Sequence, residues 1–224
     1  MNDRRFLITS LLAGYVALAL ASRGASAQMP ATPVLQNAWA NAGATAAVDY
    51  GHARGENAWA AALAWAPGGS RFQLSLGGGV ISDSASNRGG YGARIAVPLV
   101  SFAGGSIGTA VFGGVGFTSH GSTQQANFPV GASLGWRHAL GATRGISAYV
   151  APFWVLTRAK LDTVSTTRGL VRASVGFDIT LASQLGLTIG YEDGARAKES
   201  EPGVRGGVFG IALSYAFRRQ NGGS

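Results

Sequence analysis

The stretch Val208–Phe217 reads V-F-G-I-A-L-S-Y-A-F, and it decides the fold. Successive side chains of a strand point to opposite faces, so one face here is bulky and apolar and the other is slim. The bulky face consists of Phe209, Ile211, Leu213, Tyr215 and Phe217. A soluble sheet would bury that face and carry charge on the other, yet the slim face carries none. The pattern predicts a strand of a transmembrane barrel, apolar toward lipid and slim toward the lumen.

The composition indicates one large domain that is poor in charge. Only 12% of the 224 residues are charged, against about a quarter in an average soluble domain. The chain contains 35 glycines and no cysteine. Disulfides and thiolate metal sites are therefore excluded.

Residues 1–27 have the pattern of a secretory signal peptide. Arg4 and Arg5 precede the apolar run Phe6–Leu20, and Ala25–Ala27 supplies the small residues of a cleavage site. A membrane anchor is the alternative, but that run is shorter than the ~20 residues that a helical span needs. Cleavage after Ala27 would leave 15 basic and 9 acidic residues, a net charge of +6.

Beyond the signal peptide, no stretch of the sequence is long and apolar enough for a spanning helix. A membrane form must then be a closed barrel, because open strand edges are not tolerated in lipid. The sequence therefore predicts export across the inner membrane and insertion into the outer membrane of a Gram-negative envelope.

Alternating stretches predict an all-β, up-and-down antiparallel barrel of ten strands between residues 44 and 217. Eight strands are the alternative if the first hairpin is not inserted. Residues 28–43 lack alternation and are predicted to be a periplasmic lead-in or a small plug, and residues 218–224 a C-terminal tail. The predicted strands are Ala44–Gly51, Asn57–Ala66, Arg71–Ser82, Tyr91–Val100, Ser106–Thr118, Asn127–Arg137, Ile146–Leu156, a strand through 171–179, Leu185–Tyr191 and Val208–Phe217.

The connections between these strands are predicted to alternate in length. Short turns fall near residues 67–70, 101–105, 139–145 and 182–183, and polar loops such as 83–90, 119–126, 157–169 and 192–207 lie between them. Transmembrane barrels have short periplasmic turns and longer extracellular loops. The alternation in Ile146–Leu156 is lost around Pro152, which predicts a bulge there, since a closed barrel has no free edge for proline.

Aromatic residues recur near the ends of the predicted strands. Three strands share one spacing, from Tyr91 to Leu99, from Phe128 to Trp136 and from Phe209 to Phe217. Matched depths of this kind predict aromatic girdles at both membrane interfaces. The outer girdle comprises Tyr50, Trp59, Tyr91, Phe117, Phe128, Tyr191 and Phe209, and the inner girdle Trp65, Phe72, Trp136 and Phe217.

On these features the sequence resembles the bacterial outer-membrane β-barrel family, most specifically in the final strand that ends at Phe217. The resemblance implies contact with outer-membrane lipid and insertion by the barrel-assembly machinery through that strand. Seven residues, Arg218–Ser224, follow the aromatic, whereas the family's signal usually ends the chain. The resemblance covers the architecture and does not select a function.

A small set of charged residues falls on the predicted lumenal face or at its rim: Asp49, Arg94, Arg137, Arg172, Asp178 and Glu192. Charges in a dry lumen are costly unless they pair or meet water. Two hypotheses follow. The residues either form a salt-bridge network that fixes and closes the barrel, which we favour, or they form a charged constriction in a narrow pore.

Catalytic, metal-binding and nucleic-acid motifs are weak in this sequence. His52, His120 and His138 lack metal-ligand spacing, and no dense basic patch exists for phosphate contacts. A rim hydrolase using His120 with Ser122, or a protease using His120 with Asp83 and Asp162, is a remote alternative because no acid lies near His120 in sequence. We expect no enzyme, no cofactor and no nucleic-acid partner.

Three functions remain open at this level. A structural or surface-interaction barrel would use its outer loops, a narrow porin-like channel would use its lumen, and a rim hydrolase would act on lipid A or peptides. The alternative fold, a soluble ligand-binding barrel, would need charged outer faces, and the strands lack them. The sequence does not predict an oligomeric state.

Overall fold

A computed structural model describes the barrel and a short segment that precedes it. The described residues are 32–39, 43–67, 72–84, 86–141, 143–161, 163–198, 202–203 and 206–217. The predicted signal peptide and the C-terminal tail 218–224 lie outside them. No helix among the described residues is long and apolar enough to cross a membrane.

Ten antiparallel strands form one closed barrel in which every strand pairs with its neighbours in sequence and β1 pairs with β10. Ala44 lies opposite Phe217 and His52 opposite Phe209 at this closing seam. The ten-stranded prediction is confirmed, and the first hairpin is part of the wall. The strands are β1 Gly43–Ala53, β2 Glu56–Ala66, β3 Gln73–Ser82, β4 Asn87–Phe102, β5 Ile107–His120, β6 Thr123–Ala139, β7 Gly145–Leu161, β8 Val164–Thr180, β9 Leu185–Gly194 and β10 Val208–Phe217.

The outward face of the wall is apolar and exposed, as a lipid-facing surface must be. On β2, Trp59, Leu63 and Trp65 are 58%, 62% and 51% exposed, while the inward residues between them are buried alanines. β10 alternates in the same way. Large apolar side chains on the outside and small ones inside are the arrangement of a transmembrane barrel.

The two ends of the barrel differ in how the strands are connected. We call the end where β1 begins and β10 ends the inner end, and the opposite end the outer end. The inner connections are 67–72, 103–106, 140–144 and 181–184, and the outer ones are 54–55, 83–86, 121–122, 162–163 and 195–207. The prediction of long outer loops is therefore wrong except for the last one. That connection, 195–207, is the longest in the barrel.

The polar stretches read as loops are strands that continue beyond the apolar band. In the predicted loop 157–169, β7 and β8 stay paired from Thr157–Arg168 up to Leu161–Val164. Polar side chains do not prevent strand pairing, because the backbone supplies the ladder hydrogen bonds. Sequence polarity marked where the apolar band ends, and not where the strands end.

The predicted bulge at Pro152 is also wrong. β7 keeps one register with β8 along its whole length, with Pro152 opposite Ala173 and pointing outward. The alternation looked broken because Tyr149, Phe153 and Val155 are large and point inward. The register shift that does occur lies in β4, between Pro98 and Ser101.

The aromatic residues predicted for the girdles lie near the strand ends, and many of them contact another ring. Tyr50 and Trp59 have ring centroids 4.8 Å apart, and Phe117 lies 5.3 Å from Tyr91 and 6.5 Å from Phe128. Tyr191 lies opposite Phe209. At the inner end Trp65 contacts Phe72, Trp136 stacks on His138, and Phe217 contacts Tyr215.

Candidate functional site

Residues 32–39, T-P-V-L-Q-N-A-W, lie inside the barrel, and we call them the lumenal segment. Every residue from Thr32 to Ala38 is buried, and Trp39 is partly buried. The segment runs lengthwise through the lumen. Pro33 lies against Gly210, near the outer end of β10, and Trp39 lies against Gly108, near the inner end of β5.

The wall holds the outer half of the lumenal segment by its backbone. The Val34 N–H donates to Glu192 Oε2 at 3.0 Å, and the Val34 carbonyl accepts from Ser174 Oγ at 2.6 Å. Arg94 Nη2 donates to the Leu35 carbonyl at 3.2 Å. Polar wall side chains thus satisfy main-chain groups that burial would otherwise leave without water.

Asn37 holds the inner half of the lumenal segment through its side chain. Its amide nitrogen donates to Ser147 Oγ at 2.8 Å and also to Asp178 Oδ2. Asp178 further accepts from Ser147 Oγ at 3.1 Å and, through Oδ1, from Thr188 Oγ1 at 2.6 Å. Hydrogen bonds to an ionised carboxylate are about twice as strong as neutral ones. Neutral donors, rather than an arginine, surround this buried acid.

Trp39 fills the inner end of the lumen. Its ring lies where a side chain at Gly108 or Gly135 would have to be, and the Arg137 guanidinium carbon sits 4.8 Å above its ring centroid. Arg137 Nε also donates to the Gly105 carbonyl at 2.8 Å. A cation over an indole face is attracted by the ring quadrupole. Arg137 therefore links the segment to the β4–β5 turn.

Glycines make room for the lumenal segment along the wall. A Cβ added at Gly190 would collide with Leu35, and one added at Gly210 would collide with the ring of Pro33. A packed interior has few voids larger than a water molecule, so a methyl group at either position has no free space. These two inward glycines therefore leave the space that Leu35 and Pro33 occupy.

Arg172 holds both ends of the connection 195–207. Its Nε donates to Glu192 Oε1 at 2.6 Å, and its two remaining nitrogens donate to the carbonyls of Ala195, at 2.9 Å, and Gly206, at 2.8 Å. Glu192 in turn holds the lumenal segment at Val34. One buried ion pair therefore joins the wall, the segment and the last outer connection.

An apolar cluster of buried residues lies inside the barrel around Val34 of the segment. It brings together Val34, Ala96, Phe112, Tyr149, Ala151, Phe153, Val155, Leu170 and Ala197. Phe112 and Phe153 have ring centroids 6.3 Å apart. Ala197 belongs to the last outer connection, so the first residues of this connection pack against the wall. The outer end of the lumen therefore contains apolar contacts as well as the polar contacts of Arg172 and Glu192.

Two buried wall hydroxyls have no hydrogen-bond partner within the described part of the chain. They are Tyr149 Oη, which lies beside Gly176 and Gly190, and Ser133 Oγ on β6. Buried polar groups almost always have partners, so each exception calls for a physical reason.

The structure distributes the six charged residues predicted for the lumen among separate partners. Asp49, Arg94, Arg172, Asp178 and Glu192 are buried, whereas Arg137 lies half-buried at the inner end. Arg172 pairs with Glu192, and Arg94 interacts electrostatically with Asp49. Asp178 and Arg137 bind neutral groups, so they do not join a single network.

Sequence reasoning missed the residues that hold the segment: Val34, Asn37, Trp39, Ser147, Tyr149 and Ser174. A signal for them existed. Glycines recur at inward positions of β5, β6, β9 and β10, and the uncharged stretch 32–39 is apolar enough to fill the space that they leave.

The residues considered for catalysis are dispersed or engaged elsewhere. His52 lies on the outward face, with its Nδ1 2.9 Å from Asn57 Oδ1, and His138 stacks on Trp136. Asp83 accepts from Ser86 and lies 3.5 Å from Arg88. Asp162 and the side chain of His120 lie outside what the structure describes. Within the described ranges, no group of His, Asp and Glu could hold a metal ion.

Comparisons with known proteins bear on the fold alone. No family model matches the sequence, and no curated protein matches it. Among solved structures the chain is similar to Neisserial surface protein A, with 17% identity, a TM-score of 0.38, and coverage of 79% of this chain and 98% of that one. It is also similar to the NanC porin, with 9% identity, a TM-score of 0.40, and coverage of 77% and 100%. A third similar structure is the KdgM porin in complex with disordered oligogalacturonate, with 9% identity, a TM-score of 0.39, and coverage of 78% and 99%.

Proposed function

We propose that this protein is an integral outer-membrane barrel whose lumen is closed by its own lumenal segment, and that it acts structurally or through its outer surface. The observation that carries the proposal is the burial of residues 32–38 within the barrel. Their backbone and side-chain hydrogen bonds to the wall are those of a packed interior. A lumen filled in this way does not conduct solutes.

The outer end supports a role in surface contacts. Beyond Leu156, β7 continues for five residues, a rise of about 16 Å along the strand. The tip of the β7–β8 hairpin carries Leu161 and Val164, which are 55% and 66% exposed. These two apolar residues lie past the outer aromatic residues, where they do not face hydrocarbon. Exposed apolar residues on a polar projection are suited to binding another molecule.

The closure is tested by conductance of the refolded mature protein in a planar lipid bilayer. We expect a silent bilayer from protein that is folded, as judged by its heat-dependent mobility in gel electrophoresis. Steady single-channel conductance from the folded wild-type protein would overturn the closed lumen.

The surface role is tested by replacing Leu161 and Val164 with serine in cells that display the barrel. We expect weaker adhesion or cell–cell contact at an unchanged amount of protein in the outer membrane. Val171→Ser, a lipid-facing change on the same hairpin, is the matched control. Equal adhesion by the tip variant and the wild type would contradict the surface role.

A channel is the second candidate function, and the position of the lumenal segment in the chain favours it. The segment precedes the first ladder residue, Gly43, so its withdrawal would leave the wall hydrogen bonds intact. A conducting state would then be a minor state of a barrel that is mostly closed.

A further inference from the structure

We propose that the lumen is a binding site for a peptide. Residues 32–39 occupy this site in the intact chain, and the emptied site accepts the same peptide when it is supplied separately. The inference rests on the proposed closure of the lumen and adds the class of ligand that closes it. The ligand is a peptide with uncharged side chains that carries an amide side chain and, two residues later, an aromatic ring.

The first part of the site recognises main chain. Glu192 accepts from the Val34 N–H, Ser174 donates to the Val34 carbonyl, and Arg94 donates to the Leu35 carbonyl. These contacts go to main-chain atoms on either side of a tight turn, in which the Gln36 N–H donates to the Val34 carbonyl at 3.1 Å, and they do not depend on the identity of the side chains. Main-chain hydrogen bonds give affinity in peptide recognition, and pockets for alternate side chains give specificity.

The second part of the site selects side chains. Asp178 and Ser147 accept the two N–H groups of Asn37, so a neutral donor is required at that position. A carboxylate there would face Asp178 directly. Two residues later, Gly108 and Gly135 form a slot for Trp39, and Arg137 covers its ring. The spacing from amide to indole is thus fixed by the wall.

The occupant is separable from the wall that binds it. Strand pairing begins at Gly43 opposite Ala66 and at Ala44 opposite Phe217, so residues 32–39 contribute nothing to the ladder. The barrel closes through β1 and β10 alone. A wall that folds without its occupant presents the same side chains to a peptide from solution.

Two wall hydroxyls point to a ligand independently of these contacts. Tyr149 Oη and Ser133 Oγ are buried in the lumen and have no hydrogen-bond partner within the described ranges. A lumen that only had to be filled would carry apolar residues at these positions, because a buried, unsatisfied hydroxyl destabilises the fold. Their presence fits a lumen whose occupant exchanges, with water or ligand groups reaching them during the exchange.

The test uses a barrel from which residues 32–39 are deleted, with the preceding residues kept for export. Calorimetric titration in detergent measures binding of the octapeptide T-P-V-L-Q-N-A-W. We expect saturable binding, about 10- to 100-fold weaker binding of the Asn37→Ala octapeptide, and no binding of a scrambled one. Because native and scrambled peptides are both uncharged, their difference reports on order alone. No binding of the native octapeptide to the folded variant, or equal binding of the scrambled one, would overturn the proposal.

A second variant covers failure of the deletion to fold. The full-length Asn37→Asp chain places a carboxylate against Asp178 and should expel its own segment. It should then bind the native octapeptide, which the wild-type chain, with its site filled, should not. Absence of binding to the folded Asn37→Asp chain would overturn the proposal. So would failure of both variants to fold, since the occupant would then be part of the wall. Wild-type conductance reports separately on the closed lumen.

Discussion

The lumenal faces of β1–β3 and of β7–β9 are built differently although both belong to one continuous sheet. β2 presents five alanines inward, and β3 adds Ser75 and Gly77. The opposite wall presents Arg172, Asp178 and Glu192. The hydrogen bonds described above between segment and wall go to β4, β7, β8 and β9. The polar residues of β4 and β7–β9 that make these hydrogen bonds therefore mark the side of the lumen on which the segment is held.

Arg172→Ala should have the largest effect, because Arg172 lies at the centre of the polar contacts made by β8 and β9. It leaves Glu192 buried without its cation and releases the carbonyls of Ala195 and Gly206. Removing one partner of a buried ion pair costs about 3–5 kcal/mol. Guanidinium unfolding of the protein in lipid vesicles measures the loss.

The control for this change is Arg144→Ala, at the exposed inner end. It should alter the free energy of unfolding by no more than about 0.5 kcal/mol, as usual for surface positions. Equal effects of the two arginine changes would mean that the contacts of Arg172 do not stabilise the barrel.

Asn37→Ala should come second, since it removes the amide that Asp178 and Ser147 bind. Leaving a buried carboxylate short of a donor costs about 1–3 kcal/mol. The loss should appear as faster hydrogen exchange at the Val34 amide, which becomes accessible when the segment leaves the wall. Asn57→Ala, which removes a contact with Tyr50 on the outer surface, is the comparison. Unchanged exchange at Val34 would indicate that the segment is held by packing alone.

Gly210→Ala should destabilise by about 1–2 kcal/mol, because the added methyl group meets the rigid ring of Pro33. Gly89→Ala is the matched control, since a Cβ there meets nothing within 4 Å. Unfolding free energies of both variants, measured in the same vesicles, decide the matter. If the two glycines tolerate alanine equally well, Pro33 does not lie against β10 in the membrane.

The wall of the barrel could be predicted from the sequence because its alternation is local. Each lipid-facing stripe, such as Phe209 to Phe217, follows from side-chain period alone. Even β1 followed this rule, since Tyr50 points outward and the buried Asp49 inward.

The contacts inside the lumen could not be predicted in the same way, although a small plug is one of the two predictions for residues 28–43. Val34 and Glu192 are 158 positions apart, and Asn37 and Asp178 are 141 apart. No period links such residues, and stretch 32–39 has no alternation of its own. The inward Phe153 made the alternation of β7 look interrupted for the same reason, because the residues that it packs against come from elsewhere in the chain. Local pattern fixes which way a side chain points, whereas its partner depends on tertiary structure.

Ala61→Leu should have the smallest effect, and it tests the lipid-facing side of β2. Ala46 and Ala61 form the floor of an outer groove of about 700 Å3, with Leu63, Leu76 and Leu213 along its sides. If lipid chains fill this groove, leucine adds apolar contact with hydrocarbon and should stabilise the barrel by about 1 kcal/mol. Val175→Leu, at an exposed lipid-facing position on β8, is the control. It should raise the free energy of unfolding by no more than Ala61→Leu does. A loss of stability only at Ala61, at a protein-to-lipid ratio that favours association, would mean that another protein surface occupies the groove.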